Sequence, residues 1–286
     1  MVEQLISGSS MNRRIAKWED IMQSVERYTP DASLIIPALD PRYRDPAGSN
    51  LDYFFRHKSL SSTLGGAYPG DNIDFQTDIF ANMDPQYIGP GEVPVLTFDG
   101  SADWAQSSDL NFFTAGGGSA LSRIVWVWVA STSEGGMLIS KFSSVQEWDF
   151  RLNVSTLRPF FRVFDDSASA DVSRTGSSGI AAGSWHQVAV TWDGTASSTP
   201  LAGANMVFYV DGVAISTDAE SATGTYVDME NTSAAMAVAA RATAADKYTG
   251  KMAFGPCGPI IGRPWEATAA EIAAIYRTQA AALGVL

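Results

Sequence analysis

Ser184-Trp185-His186-Gln187-Val188-Ala189-Val190-Thr191-Trp192-Asp193-Gly194 is the stretch that decides the fold of this chain. From Trp185 to Trp192 the side chains alternate between two faces with the period of a β-strand. Asp193-Gly194 then supplies a residue pair that tight hairpin turns favour. The same punctuation recurs on both sides. Val95-Leu96-Thr97-Phe98 runs into Asp99-Gly100, and Val207-Phe208-Tyr209-Val210 runs into Asp211-Gly212. Phe150, Leu152 and Val154 alternate, as do Phe161 and Val163, and residues 137–140 follow a Gly-Gly turn. Residues 124–130 are apolar on both faces, with Trp126 and Trp128 on one and Val125, Val127 and Val129 on the other, which predicts a central strand. Short strands separated by Gly, Asp and Ser turns predict a mainly β, antiparallel two-sheet sandwich.

Four of these motifs, in order, resemble the laminin-G-like, concanavalin A-like jelly rolls. Leu96-Thr97-Phe98-Asp99-Gly100-Ser101-Ala102-Asp103 is similar to their opening strand, and residues 184–194 to their central strand. Residues 207–213 resemble the strand and tight turn that follow. Ile260-Ile261-Gly262-Arg263 and then residues 268–276 resemble the closing strand and short helix. The resemblance runs from 94 to 283 and implies two stacked sheets, one flat and one concave. Members of that superfamily bind glycans, bind proteins, hydrolyse polysaccharides or serve as sturdy surfaces. Function therefore has to be argued from sites.

Composition narrows the classes. Hydrophobic residues make up 45% of the 286 and charged residues 17%, enough apolar matter for a large core. A formal charge of −12 with no basic cluster argues against nucleic acid and anionic membrane as partners. Cys257 is the single cysteine, and His57 and His186 are the two histidines. That excludes an intramolecular disulfide and a thiolate or multi-His metal cage. No run of about 18 apolar residues predicts a membrane-spanning helix. Residues 1–10 lack a basic segment followed by an apolar run, so no signal peptide is expected.

Three regions differ in texture. Residues 1–30 predict a tail and a helix, with Ile15, Trp18, Ile21, Met22, Val25 and Tyr28 on one face and Pro30 as the stop. Residues 31–93 form a Pro/Gly-rich extended arm whose X-Pro pairs interrupt regular structure. The arm is studded with Leu34, Ile35, Tyr53, Phe54 and Phe55, which need burial. Coverage by a neighbouring subunit is the favoured expectation, with coverage by its own domain as the alternative. Residues 94–286 hold the sandwich and end in a helix, where Thr268 and Glu271 have capping-box spacing and Ala269, Ile272, Ile275, Tyr276 and Ala280 share a face.

Candidate chemistry is sparse. Glu147-Trp148-Asp149-Phe150 places two acids on one strand face, as in laminarinase-like relatives. Arg151 and Leu152 stand where the third acid of that pattern belongs, so cleavage of polysaccharide is the least favoured reading. The acidic pair is expected to face solvent, paired with Arg151 or Arg162. His186 is expected to be structural. Asp99, Asp103, Asp165, Asp166 and Asp211 are candidate oxygen ligands for Ca²⁺, the one cofactor left open, although the hairpin turn at Asp211-Gly212 by itself accounts for Asp211. Trp104, Trp148 and Trp265 lie near turns and are the candidates for stacking on sugars.

The joint pattern predicts a non-enzymatic virion structural protein, a capsid decoration or a tail or fibre component of a tailed phage. Ile15, Trp18, Ile21, Leu34, Ile35, Tyr53, Phe54 and Phe55 would anchor it to other virion proteins and to copies of itself. The sandwich would project outward, with a host-surface glycan as a further candidate partner. Synthesis in a host cytoplasm and residence in the virion follow from that reading. The alternative is an extracellular glycan-binding module without a virion role.

Overall fold

The computed structural model describes residues 63–65, 72–76, 86–90, 93–109, 120–194, 205–218, 220–253, 260–261 and 266–286. The first strands in the chain are β1 (Thr63–Gly65), β2 (Asn72–Gln76), β3 (Gln86–Ile88), β4 (Val93–Asp99), β5 (Trp104–Asp109) and β6 (Leu121–Trp128). Next come β7 (Gly136–Phe142), β8 (Gln146–Leu152), β9 (Pro159–Asp165), β10 (Ala170–Thr175), β11 (Trp185–Trp192) and β12 (Val207–Val210). The last are β13 (Val213–Ile215), β14 (Ser221–Thr223), β15 (Ala235–Val238), β16 (Thr249–Ala253) and β17 (Ile260–Ile261), followed by helix α1 (Ala269–Leu283). One sheet of nine strands has the order β1-β2-β5-β15-β7-β8-β9-β10-β14. The other, of eight, runs β13-β12-β11-β6-β16-β4-β3, with β17 also paired to β6. The predicted antiparallel sandwich is what forms.

Alternation decides which side chains meet between the sheets. Val125 and Val127 of β6, Val129 just after it, and Val188, Val190 and Trp192 of β11 point inward, against Trp148, Phe150, Phe161 and Val163 of β8 and β9. Each such burial stabilises by roughly 1.5–3 kcal/mol. The apolar stretch at 124–130 sits centrally, with β6 between β11 and β16.

The outward face of the eight-stranded sheet is covered by α1. Val93, Val95, Trp126 and Ala253 pack there with Ala280, Ala282 and Leu283. Trp126 stacks on Tyr276 with ring centroids 5.6 Å apart. Gln279 is the polar fastener, its Oε1 accepting from Trp126 Nε1 at 2.7 Å and from Gln187 Nε2 at 2.9 Å. Both halves of the predicted capping box form, and Gly284 closes the helix in the left-handed conformation with φ 73°. Ala269, expected on the buried face, is exposed. Gly89 (φ +69°) lets the turn after β3 abut the end of α1, because a Cβ there would lie 2.3 Å from the Leu283 carbonyl.

The arm needs a correction. Residues 63–65, 72–76 and 86–88 are strands of the chain's own sheets, with β2 on β5 and β3 on β4. The edges of β4 and β5 carry backbone donors and acceptors that need partners, and the arm supplies them. The expected N-terminal helix, and Ile15, Trp18, Ile21, Leu34, Ile35, Tyr53, Phe54 and Phe55, lie outside the described residues. Among the described residues no helix is long and apolar enough to cross a membrane.

Candidate functional site

The nine-stranded sheet has a different outward face. Phe161 and Val163 point into the core, so Phe160, Arg162 and Phe164 point the other way. Strand register carries a row of polar residues across the sheet. Ser140 on β7 is opposite Asp149 on β8, Asp149 opposite Arg162 on β9, Arg162 opposite Ser173 on β10, and Ser173 opposite Ser221 on β14. A second row sets Arg151 opposite Phe160.

The carboxylate of Asp149 is the centre of this face and has no solvent exposure. Arg162 donates to its Oδ2 through Nη2 at 2.7 Å and Nε at 3.3 Å, and Arg241 Nη2 lies 3.7 Å away. Arg241 also pairs with Asp246 at 2.9 Å. The three guanidinium groups each lie over a phenyl ring. Arg151 is 4.0 Å above Phe160, Arg162 4.4 Å above Phe164 and Arg241 4.1 Å above Phe142. Phe142 and Phe164 meet edge to face at 5.1 Å. Flattening on a ring covers apolar surface while leaving guanidinium edges turned toward solvent. Burial pulls the proton affinity of Arg151 down, and the nearby Asp149 carboxylate opposes that. The result is a rigid strip of hydrogen-bond donors on a β scaffold.

Glu147 and Asp149 do not form the expected solvent-facing pair. Lys141 pairs with Trp148, whereas Phe142 pairs with Gln146, so Glu147 is the extra residue of a bulge. The bulge turns Glu147 inward beside Trp148. Its Oε1 accepts from Lys141 Nζ at 2.7 Å and from the Thr232 N–H at 2.8 Å. Asp149 stays on the outward face, and both acids are fully buried. Of the two expected arginine partners, Arg162 takes Asp149, while Arg151 forms no ion pair with any described residue. Burial pushes the Glu147 carboxyl up, against the pull of the Lys141 ammonium. Arg123, buried from the opposite sheet with its guanidinium 4.1 Å over Trp148, is pulled down to about 9 by burial, with Glu147 opposing.

The tryptophans expected to meet sugars are elsewhere. Trp148 is fully buried and Trp104 nearly so, both in the inter-sheet cluster, so neither presents a ring to a ligand. Turn proximity misled, because the inward positions of β5 and β8 continue to the strand ends. Trp265 lies outside the described residues.

The candidate Ca²⁺ ligands serve the backbone. Asp99 accepts from the N–H groups of Ser101 at 2.7 Å, Ala102 at 2.8 Å and Asp103 at 3.3 Å, and Asp103 Oδ2 accepts from the Asp99 N–H at 3.1 Å. These bonds build the corner between β4 and β5, and the Ser101 hydroxyl above all holds the Asp99 carboxyl below the usual carboxylate range. Asp165 accepts from Ala168 and Val227 N–H groups, and Asp166 from that of Gln146. Among the described residues no three His, Cys, Asp or Glu side chains come together as a metal site.

His186 bridges two elements. Its Nε2 is 2.9 Å from Ser184 Oγ and its Nδ1 2.7 Å from Asp211 Oδ2. Asp211 Oδ1 accepts from the Gln187 N–H, and the Asp211 N–H donates to the Gln187 carbonyl. Hydroxyl, imidazole and carboxylate follow the order of a nucleophilic relay. Here the carboxylate also fixes the turn between β12 and β13 to β11, which gives His186 a structural task.

That Arg151, Arg162, Arg241, Phe142 and Phe160 share one face was not expected from sequence. The alternation of Phe161 and Val163 already implied an outward Phe160, Arg162 and Phe164. The contribution of Arg241, distant in the chain, had no local signal.

Residues 99–254, more than half the chain, match the profile of the concanavalin A-like lectin/glucanases superfamily. No curated protein matches the sequence. Among solved structures, the binding domain of botulinum neurotoxin DC in complex with SialylT is similar at 13% identity and TM-score 0.47, over 73% of this chain and 46% of that one. A Trypanosoma rangeli sialidase is similar at 12% identity and TM-score 0.46, over 94% and 38%. A SAP-like pentraxin from Limulus polyphemus is similar at 10% identity and TM-score 0.36, over 71% and 80%. The chain thus spans less than half the length of the toxin domain and of the sialidase.

Proposed function

The chain belongs to the concanavalin A-like lectin/glucanases superfamily, and from that premise we propose that it recognises saccharides without cleaving them, through the outward face of its nine-stranded sheet. The observation that carries this reading is the strip of Arg151, Arg162 and Arg241 laid on Phe160, Phe164 and Phe142 around Asp149. Saccharide recognition needs fixed hydrogen-bond donors beside apolar edges on a scaffold that does not rearrange. Cleavage needs two carboxyls flanking one bond. Glu147 and Asp149 are buried on opposite sides of β8 and committed to Lys141 and Arg162.

The test is a saccharide array probed with the full chain, followed by titration of the best hits. Binding is expected, and Phe160→Ala should weaken it by about tenfold through loss of the surface on which Arg151 rests. Absence of any saccharide binding, or release of reducing ends from a bound polysaccharide, contradicts the reading.

A second proposal concerns residues 1–62. Their dense apolar side chains, in a stretch broken by proline, support an anchoring role in a tailed-phage virion with the sandwich displayed outward. Deleting 1–62 spares every described strand. Loss of particle incorporation with saccharide binding retained is the expected result, and normal incorporation of the truncated chain contradicts it.

A further inference from the structure

The three guanidinium groups of the outward face differ in what neutralises them. Arg162 is paired with Asp149 at 2.7 Å, and Arg241 with Asp246 at 2.9 Å. Arg151 forms no ion pair with any described residue, and its Nε is buried without a hydrogen-bond partner. It rests 4.0 Å above Phe160 and is half-buried. Asp149 and Asp246 are thus engaged by Arg162 and Arg241, and Arg151 is the guanidinium of the three that no carboxylate pairs with among the described residues. A guanidinium held flat on a ring, with its terminal N–H groups toward solvent and no carboxylate paired to it, is oriented before a ligand arrives, so less is lost when it takes an oxyanion.

We propose that Arg151 docks an oxyanion carried by a saccharide, a sulfate ester or a uronic carboxylate, so that this face selects acidic over neutral saccharides. The inference rests on the saccharide-binding reading above. A planar fork of N–H donors matches the oxygen pair of either group. Arg151 is one guanidinium without an ion-pair partner among the described residues, within a chain of net charge −12. That suits one oxyanion on an otherwise neutral ligand and disfavours a polyanion such as nucleic acid, which needs a run of cations.

The experiment is calorimetric titration of the full chain with neutral cellohexaose, a cello-hexamer carrying a single terminal uronic carboxylate, a cellohexaose carrying a single sulfate ester, and sodium sulfate. Wild type is compared with Arg151→Gln and, as a control on the far side of the molecule, Arg277→Gln. At least one acidic hexamer should bind about tenfold or more tighter than cellohexaose, Arg151→Gln should erase that preference, and Arg277→Gln should keep it. Arg151→Lys retains the charge without the planar fork and should lose most of the preference, which keeps the test alive if the glutamine variant does not fold. Cellohexaose binding as tightly as both acidic hexamers overturns the inference and leaves the saccharide reading standing. Retention of the preference by Arg151→Gln overturns it in the same way. Sodium sulfate binding as tightly as the sulfated hexamer also overturns it, because the site would then read a bare anion. No binding to any hexamer overturns the inference together with the reading beneath it.

Discussion

The two outward faces of the sandwich are built from the same alternation and finished in opposite ways. On the eight-stranded sheet, Trp126, Val93 and Val95 are sealed under α1, with Gln279 accepting from the Trp126 indole N–H. On the nine-stranded sheet the corresponding positions hold Asp149, Arg151, Phe160 and Arg162, and the rings are covered by guanidinium groups. The first face exists to be buried within the chain. The second keeps fixed donors at the surface, held on phenyl rings and by Asp149. The contrast locates stabilising energy on one side of the molecule and the proposed recognition on the other.

The largest effect that would sharpen this contrast is on the sealed side. Trp126→Ala removes a fully buried indole, its stack on Tyr276 and its bond to Gln279, and should cost about 3–5 kcal/mol in chemical unfolding. A loss below about 1 kcal/mol would mean that α1 does not seal the sheet as described. On the other face, Asp149→Asn keeps the shape and removes the charge shared by Arg162 and Arg241. A loss of about 2 kcal/mol is expected from charge-assisted bonds that are partly open to solvent. If Asp149→Asn is neutral, the carboxylate is not the fastener of that face.

The smallest effect belongs to the corner between the sheets. The Asp99 carboxyl is held below its ordinary value by the Ser101 hydroxyl and three backbone N–H groups. A depressed folded value means that its contribution is present above the unfolded value of about 4 and is lost as pH falls through the folded one. The melting difference between wild type and Asp99→Asn should therefore be constant above about pH 5 and shrink in more acid solution. A difference that grows on acidification contradicts the corner geometry.

Much of the fold was legible because it is local. Period-two alternation fixed the strands, and Thr268 with Glu271 fixed the start of α1 down to its reciprocal hydrogen bonds. The site was less legible, for two physical reasons. A single bulge at Glu147 reverses the face on which one acid falls, and nothing in Gln146-Glu147-Trp148 announces it. The inward positions of β5 and β8 also extend to the strand ends, so nearness to a turn did not expose Trp104 or Trp148. The strands of residues 63–88 were hidden for a related reason. They are short, and β1 and β3 are edge strands, selected by the partner they complete as much as by their own pattern.

The most direct measurement is a crystal structure of the full chain with its tightest-binding saccharide. The sugar should lie across β8 and β9, with its acidic group on Arg151 and its ring near Phe160 and Arg162. A saccharide held instead at the corner of residues 99–103, or beside His186 and Asp211, with the face around Asp149 empty, would contradict the assignment of recognition to this sheet.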